Sequence, residues 1–169
     1  MPFTAAPSRF PLFSFVLVIW IVISSLMHRD AKVEAIEEAG SAAASHSAAC
    51  EGLWLGLIRS GRKTVEGRLH NGLWTSVRPG DTLTLYDKCD AKSTVRCIVS
   101  EKLRATDFRA LYELCGESLL PRLSAPELVG AGLEAAEYAA SPWSVYLRFY
   151  PLALSVYHGV VGVRLQVLS

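Results

Sequence analysis

Apolar positions after residue 50 first follow the spacing of a helix. One helical face is shared by Leu53, Trp54, Leu57 and Ile58. Gly61 is placed to end this helix, because glycine readily adopts the left-handed backbone that closes a helix C-terminus. The pattern therefore predicts one amphipathic helix that packs against a core.

The chain then changes to the alternation that is typical of β-strands. Residues 63–69 include β-branched side chains and predict a strand. Residues 82–86 alternate polar with apolar, and residues 94–100 form a second apolar run beyond polar turn residues, which predicts a hairpin. Residues 159–168 alternate again and predict a closing strand. Its core-facing positions are expected to be Val161, Val163, Leu165 and Val167.

Three further helices are predicted between the hairpin and the closing strand. Thr106 is a suitable N-cap for the first, and Gly116 is placed to end it. Ser124 and Glu127 have the spacing of a capping box and predict the start of the second. Pro142 favours the first turn of the third, which would begin after residue 141.

The first 49 residues have a different composition. Residues 10–27 carry no charge and are followed by a polar stretch, residues 30–39, with helical propensity. Residues 40–49 are nearly all small and predict a flexible linker in which His46 is solvated. The predicted organisation is an apolar segment at 1–29, a polar helix and linker at 30–49, and a folded domain at 50–169.

The apolar segment favours a single membrane span. A helix over residues 10–27 would be about 27 Å long, close to the roughly 30 Å hydrocarbon core of a bilayer. A cleaved signal peptide, with Ser25 near the cleavage site, and an extension without a membrane role are the alternatives. We therefore expect a membrane-anchored protein, with a cytoplasmic protein as the other outcome; the charges on the two flanks do not decide the orientation.

Charge is distributed unevenly although the net charge is only +1. Residues 59–78 hold five Arg or Lys against Glu66 alone, and residues 113–137 hold five acids against Arg122 alone. The basic segment predicts a face for an anionic partner, and a solvated charged surface is the alternative.

The four cysteines do not form a recognisable metal motif. They show no C-x-x-C pair and no histidine at zinc-finger spacing, so we predict no metal site and ordinary thiols in a reducing compartment. Nothing in the sequence indicates a cofactor or an oligomer. The cysteines are Cys50, Cys89, Cys97 and Cys115.

The predicted strand at 63–69 has the composition of a binding site. Strand alternation would place Thr64, Glu66 and Arg68 on one face and Lys63 on the other with the apolar residues. In one interpretation, Glu66 is buried in a salt bridge to Arg68 or to Arg62. In the other, Lys63 or Arg68 holds a phosphate or a base edge, and Glu66 accepts a hydrogen bond from an exocyclic amine.

Other candidate residues are less distinctive. His70 and His158 are expected to be structural, and the signatures of serine hydrolases, zinc proteases and P-loop enzymes are absent from the sequence. Aromatic residues that would stack a base, or else belong to the core, are Trp54, Trp74, Tyr86 and Trp143.

From about residue 51 to residue 168 the chain resembles ASCH domains, which are small RNA-associated relatives of the PUA fold. The resemblance is carried by the string G-R-K-T-V-E-G-R-L at 61–69, the Gly80 and Asp81 turn, the Y-L-R-F-Y segment at 146–150 and the closing G-V-V-G-V strand at 159–163. It implies an α+β fold, a PUA-like β-barrel with surrounding helices, preceded here by the N-terminal apolar helix and linker. It also implies a cleft near the motif for RNA or a nucleotide-like ligand.

Some members of that family are amidohydrolases of N4-acetylcytidine, and others are associated with RNA cleavage. In the amidohydrolase branch the motif lysine is followed three positions later by a catalytic threonine. Lys63 matches that lysine, whereas Glu66 stands at the threonine position, and a carboxylate cannot replace the hydroxyl nucleophile in that chemistry without a different mechanism.

The leading prediction is therefore a module that binds RNA or a modified nucleoside. The alternatives are a hydrolase that uses Lys63 and Glu66 for proton transfer, and a protein-interaction domain that uses the apolar residues at 143–157. The predicted ligand-binding residues are Arg62, Lys63, Thr64, Glu66 and Arg68.

Overall fold

A curled five-stranded sheet forms the frame of the domain. The computed structural model describes residues 42–168, and its contacts group the chain from Ala43 onward into one unit. The strand order is β1-β3-β4-β5-β2, and every described pairing is antiparallel except the parallel pair of β1 with β3. The strands are β1 (Ser45–Cys50), β2 (Val65–Leu69), β3 (Thr82–Asp87), β4 (Thr94–Ala105) and β5 (Val160–Val167).

The sheet curls until its two edge strands approach each other. β1 and β2 lie at opposite ends of the strand order, yet Arg68 on β2 donates a hydrogen bond of 2.6 Å to the carbonyl oxygen of Ala49 on β1. The result is an α+β half-barrel with helices around it, which confirms the predicted α+β class and is consistent with the predicted PUA-like barrel. The predicted N-terminal helix lies outside the described residues.

Helices cover the curled sheet. The predicted face of α1 is confirmed for Trp54, Leu57 and Ile58, which are buried. Leu53 is only half-buried, and Leu55, which the prediction left out, is buried. No helix of residues 42–168 is long and apolar enough to cross a bilayer, and residues 10–27 lie outside the part that the structure describes. The α-helices are α1 (Gly52–Arg59), α2 (Leu73–Ser76), α3 (Phe108–Cys115), α4 (Ala125–Ala131), α5 (Ala135–Ala140) and α6 (Leu152–His158), with 3-10 helices at Gly116–Ser118 and Pro142–Arg148.

The helix starts differ from the predictions at two places. The N-cap of α3 is Asp107, one residue after Thr106, because its carboxylate accepts the backbone N–H of Ala110 at 2.8 Å. The segment that begins at Pro142 is a 3-10 helix rather than an α-helix. The capping box of Ser124 and Glu127 is present and confirms the predicted start of α4.

The prediction of a flexible linker through residue 49 is wrong for residues 45–49. They form β1, which pairs with β3 in parallel register from Ser45 opposite Thr82 to Cys50 opposite Asp87. His46 is not a solvated linker residue, because its side chain is 11% exposed and its Nε2 lies 2.8 Å from an Asp81 carboxylate oxygen. The boundary of the folded unit therefore lies before β1 rather than near Cys50.

The closing strand is buried on both faces over its first half. Val160, Val161 and Val163 are all buried, whereas Val167 is 42% exposed, so the predicted one-sided pattern holds only in part. The physical reason is that β5 lies between β4 and β2 in the sheet, with helices on one side and the interior of the curled sheet on the other.

Candidate ligand cavity

A cavity of about 200 Å³ opens where the two edge strands approach each other. Its lining comes from the end of β1, from α1, from β2 and from the 3-10 helix Pro142–Arg148 with the residues that follow it. Charged side chains lie at the base and rim, and aromatic side chains form the walls. The charged lining residues are Glu51, Lys63, Glu66, Arg68 and Lys88, and the aromatic ones are Trp54, Tyr146, Phe149 and Tyr150.

Glu66 is the centre of a buried charge cluster. The residue is only 5% exposed, and Arg68 Nε donates to its Oε1 at 2.8 Å, while Lys63 Nζ lies 3.4 Å from its Oε2. Burial alone would raise the pKa of Glu66, but the cations of Arg68 and Lys63 outweigh it and hold that pKa below its ordinary value. Glu66 is therefore a carboxylate anion at neutral pH and a weak base.

Lys63 is the most deeply buried charge in the described residues. It is 2% exposed, and its ammonium donates to the carbonyl oxygens of Val65 at 2.7 Å and Leu119 at 2.5 Å in addition to facing Glu66. Its three protons thus have three acceptors. Burial lowers the pKa of Lys63, and the attraction of Glu66 offsets only part of that effect.

Arg68 joins the charge cluster to the opposite edge of the sheet. Besides Glu66, it contacts the carbonyl oxygen of Ala49, and its guanidinium carbon lies 5.1 Å from the ring centre of Trp74. Burial opposes the charged form, yet the neighbouring Glu66 carboxylate raises the pKa of Arg68. A guanidinium has five N–H donors, and these two bonds leave others to face the cavity.

Two rings of the aromatic wall stack on a third ring, that of Phe108, which is buried and does not line the cavity. Phe108 on α3 lies 4.1 Å from Tyr146, centre to centre, with an interplanar angle of 6°, and 5.4 Å from Tyr150 with an angle of 16°. Phe149 lies at the mouth, where Lys88 Nζ is 5.6 Å from its ring centre. Buried, parallel rings of this kind form a rigid surface for another flat ring.

The residue of β2 that lies next to Tyr146 is a glycine, Gly67. A β-carbon at Gly67 would lie 2.6 Å from the Tyr146 hydroxyl oxygen and 3.1 Å from a methyl carbon of Leu119. Position 67 must therefore be small for Tyr146 to reach the strand and form the inner wall.

The structure separates the five predicted ligand-binding residues into two groups. Lys63, Glu66 and Arg68 line the cavity, whereas Arg62 and Thr64 line a separate surface depression. Of the two predicted salt-bridge partners of Glu66, the structure shows Arg68. Arg62 forms its salt bridge with Glu127 instead.

The predicted position of Lys63 on the face opposite Glu66 is wrong. β2 begins only at Val65, so strand alternation does not apply to Lys63, and its long side chain turns back to Glu66. Thr64 lies in the separate surface depression and not in the cavity, and its backbone N–H donates to the carbonyl of Ser118.

Among the predicted stacking residues, only Trp54 lines the cavity. Trp74 is buried beneath Arg68, and Tyr86 and Trp143 are half-buried elsewhere. Neither His70 nor His158 lies in the cavity lining, and residues 42–168 contain no group of three His, Cys, Asp or Glu placed to hold a metal ion.

Sequence reasoning missed Tyr146, Phe149 and Tyr150 as wall residues. They lie about 80 residues beyond the strand motif, and only the folded chain brings them together. Their one signal in the sequence is that three of the five residues at 146–150 are aromatic. This segment was part of the family resemblance, but it was not predicted to line the site. Cys50 was missed as well; burial, assisted by the Glu66 charge, raises the pKa of its thiol to about 12, so it is inert at neutral pH.

Comparison with solved structures places this fold among known ones. The crystal structure of the hypothetical protein PH0355 is similar, with a TM-score of 0.58 and 20% identity, over 74% of this chain and 99% of that chain. The solution structure of PF0455 from Pyrococcus furiosus has a TM-score of 0.49 and 23% identity over 75% and 98%. The crystal structure of ASCH from Zymomonas mobilis has a TM-score of 0.45 and 16% identity over 71% and 65%.

The similarity to PH0355 shows the fold, and ASCH structures from Zymomonas mobilis are among the solved structures to which the chain is similar. No protein-family profile matches the sequence, and no curated protein matches it.

Proposed function

We propose that this chain carries an ASCH-type binding domain whose cavity holds one base, or a modified nucleoside, of RNA. The observation that carries the proposal is the buried cluster of Lys63, Glu66 and Arg68 at the base of a cavity walled by aromatic rings. A small number of placed polar groups in an otherwise apolar cavity is the usual form of a ligand site.

The size of the cavity limits the ligand. A volume of about 200 Å³ lies below the roughly 300–1,000 Å³ of cavities that enclose drug-sized molecules. One base or one nucleoside suits it better than a dinucleotide does. A longer RNA strand would therefore leave the cavity past Phe149 and Lys88 at its mouth.

The lining supplies aromatic rings on which a base can stack and charged groups that can form hydrogen bonds with the edge of that base. A base stacks on Tyr150 or Phe149, as bases do on the aromatic platforms of single-strand binding proteins. The Glu66 carboxylate accepts from an amino or ring N–H group, and Arg68 donates to a carbonyl. Lys63, whose protons are all engaged, holds Glu66 in place rather than reaching the ligand.

A hydrolase is the second candidate. The observation in its favour is the lowered pKa of Lys63, because a lysine with a lowered pKa is better suited to proton transfer near neutral pH. Against it, all three protons of Lys63 have acceptors, and the lowered pKa of Glu66 makes this carboxylate a poor general base. The geometry therefore supports binding better than catalysis.

Fluorescence titration with single-stranded RNA at rising salt tests the proposal. We expect Phe149→Ala and Tyr150→Ala to weaken binding about tenfold each, since removing an aromatic platform costs about 1–3 kcal/mol per stacked base. Leu114→Ala, at an exposed apolar residue outside the cavity lining, is the matched control and should bind like the unmodified chain.

Two results decide between the candidate functions. Affinity that is absent at low salt, or unchanged in both aromatic variants, would remove the binding proposal. Incubation of the same protein with N4-acetylcytidine, followed by chromatography, tests the hydrolase: deacetylation that disappears in Lys63→Met would establish catalysis, and an unchanged nucleoside would leave binding as the function.

A further inference from the structure

Helix α6 has its polar and apolar sides reversed. Its only fully buried side chain is Ser155, whereas Leu152 is 57%, Val156 66% and Tyr157 82% exposed. A helix on the surface of a globular domain normally buries its large apolar residues and exposes its small polar ones. An exposed apolar face of this kind marks an interaction surface. The large exposed apolar side chains of this helix are together called the α6 face, although they extend over more than half of its circumference; they are Leu152, Leu154, Val156 and Tyr157.

The chain segment that carries the α6 face has basic residues but no acidic ones. From Tyr138 to the end of the chain the sequence contains no Asp or Glu. Arg148, exposed, lies four residues before the helix. Beyond the other end, the backbone N–H of His70 donates to the carbonyl of Gly159, and Arg104 lies 3.0 Å from the His70 ring.

This chemistry suits an anionic lipid surface better than RNA. RNA-binding surfaces combine aromatic rings with cations, whereas three of the four residues of the α6 face are aliphatic. Aliphatic side chains enter the boundary between headgroups and acyl chains, tyrosine is favoured at that depth, and nearby arginines attract anionic headgroups.

The membrane span predicted from the sequence before the domain would place the domain within reach of a bilayer. Residues 10–27 are uncharged and, in the sequence-based prediction, span the membrane. Residues 28–41 separate that stretch from the described domain, and a chain of that length reaches at most roughly 50 Å. A domain tethered so closely meets the lipid surface far more often than it meets a soluble partner.

We propose that the α6 face docks the domain onto a bilayer surface that contains anionic lipid. α6 has seven residues and is about 10 Å long, so it lies in the interfacial plane and does not cross the membrane. The contact is separate from the binding cavity, because none of the four residues of the α6 face belongs to the cavity lining.

Vesicle co-sedimentation of residues 43–169 tests the docking without the N-terminal stretch. This unit has its own hydrophobic core, and the match covers 99% of PH0355, so a chain of about this extent adopts the same fold. The protein should sediment with vesicles of phosphatidylcholine and phosphatidylserine, and more weakly with phosphatidylcholine alone. Val156→Ser combined with Tyr157→Ser should reduce the partition coefficient about tenfold or more.

The matched control combines Leu114→Ser with Val129→Ser, two exposed apolar residues outside α6, and should sediment like the unmodified unit. Thermal unfolding checks that both double variants remain folded. The proposal is overturned if the unmodified unit stays in the supernatant, if the α6 variant binds as well as the control, or if binding ignores phosphatidylserine. A dimer in analytical ultracentrifugation that the α6 variant abolishes would assign the face to a second copy of the chain instead.

Discussion

At the scale of single residues, the cavity depends on opposite requirements at neighbouring positions of β2. Glu66 and Arg68 supply charge, and Gly67 between them supplies room. Removing one partner of a buried charge pair leaves the other without compensation, whereas adding atoms at Gly67 displaces the aromatic wall. The three residues therefore contribute to one cavity through different physical effects.

Gly67→Ala should lower the free energy of unfolding by about 1–3 kcal/mol, because the added methyl group overlaps the Tyr146 hydroxyl and a Leu119 methyl. Urea denaturation measures the change. Gly56→Ala in α1 is the matched control: nothing lies within 4 Å of its added carbon, so it should raise stability by about 0.5–1 kcal/mol through helix propensity. Equal effects of the two substitutions would contradict the close contact at position 67.

At the scale of elements, β1 is attached to the sheet by more than its ladder with β3. Asp81, in the turn before β3, accepts from the backbone N–H of Ala44, from the backbone N–H of Arg78 and from the ring of His46. This carboxylate links the start of β1 to the turn that feeds β3. It explains how a strand of small residues acquires a defined register.

Asp81→Asn should loosen β1 selectively, because an amide oxygen accepts more weakly than a carboxylate and the NH₂ group replaces the oxygen that accepts from one of the two backbone N–H donors. We expect a loss of about 1–3 kcal/mol, with faster amide hydrogen exchange in β1 than in β4. Asp90→Asn, at an exposed turn residue, is the control. Unchanged exchange in β1 would show that the ladder with β3 is sufficient by itself.

At the scale of the whole molecule, three carboxyl groups make the free energy of unfolding depend on pH in the acid range. The pKa of Glu127 is lowered from 4.5 to about 2, first by its bond with Arg62, and the neighbouring cations of Arg68 and Lys63 lower the pKa of Glu66 against the opposing effect of burial. Burial also opposes ionisation of Asp81, but backbone donors and His46 lower its pKa. Each group binds its proton more readily in the unfolded chain.

The domain should therefore lose stability as the pH falls from about 4.5 towards 2. In this window the unfolded chain binds more protons than the folded one, so acidification favours unfolding. The melting temperature measured at a series of pH values checks the expectation, and Glu127→Gln should flatten part of the dependence. A melting temperature that stays constant between pH 5 and pH 2 would contradict the lowered pKa values.

Much of the fold could be predicted, because local patterns carry it. The α1 face, the capping box at Ser124, the hairpin and the closing strand follow from periodicity and turn residues within short stretches. β1 could not be predicted in this way. Its residues are small and nearly featureless, and they become a strand only because β3 and Asp81 supply partners about 35 residues away.

The sequence by itself determined the chemical groups of the cavity base, since Lys63, Glu66 and Arg68 stand within one short motif and a buried carboxylate requires a cation. Only the tertiary structure decided which of the motif's residues face the cavity and which aromatic rings enclose it. Lys63 turns towards Glu66 because the strand begins after it, Arg62 and Thr64 face elsewhere, and the wall comes from a segment distant in sequence. Local periodicity decides which way a side chain points within an element, whereas the enclosure of a cavity depends on long-range packing, which periodicity does not encode.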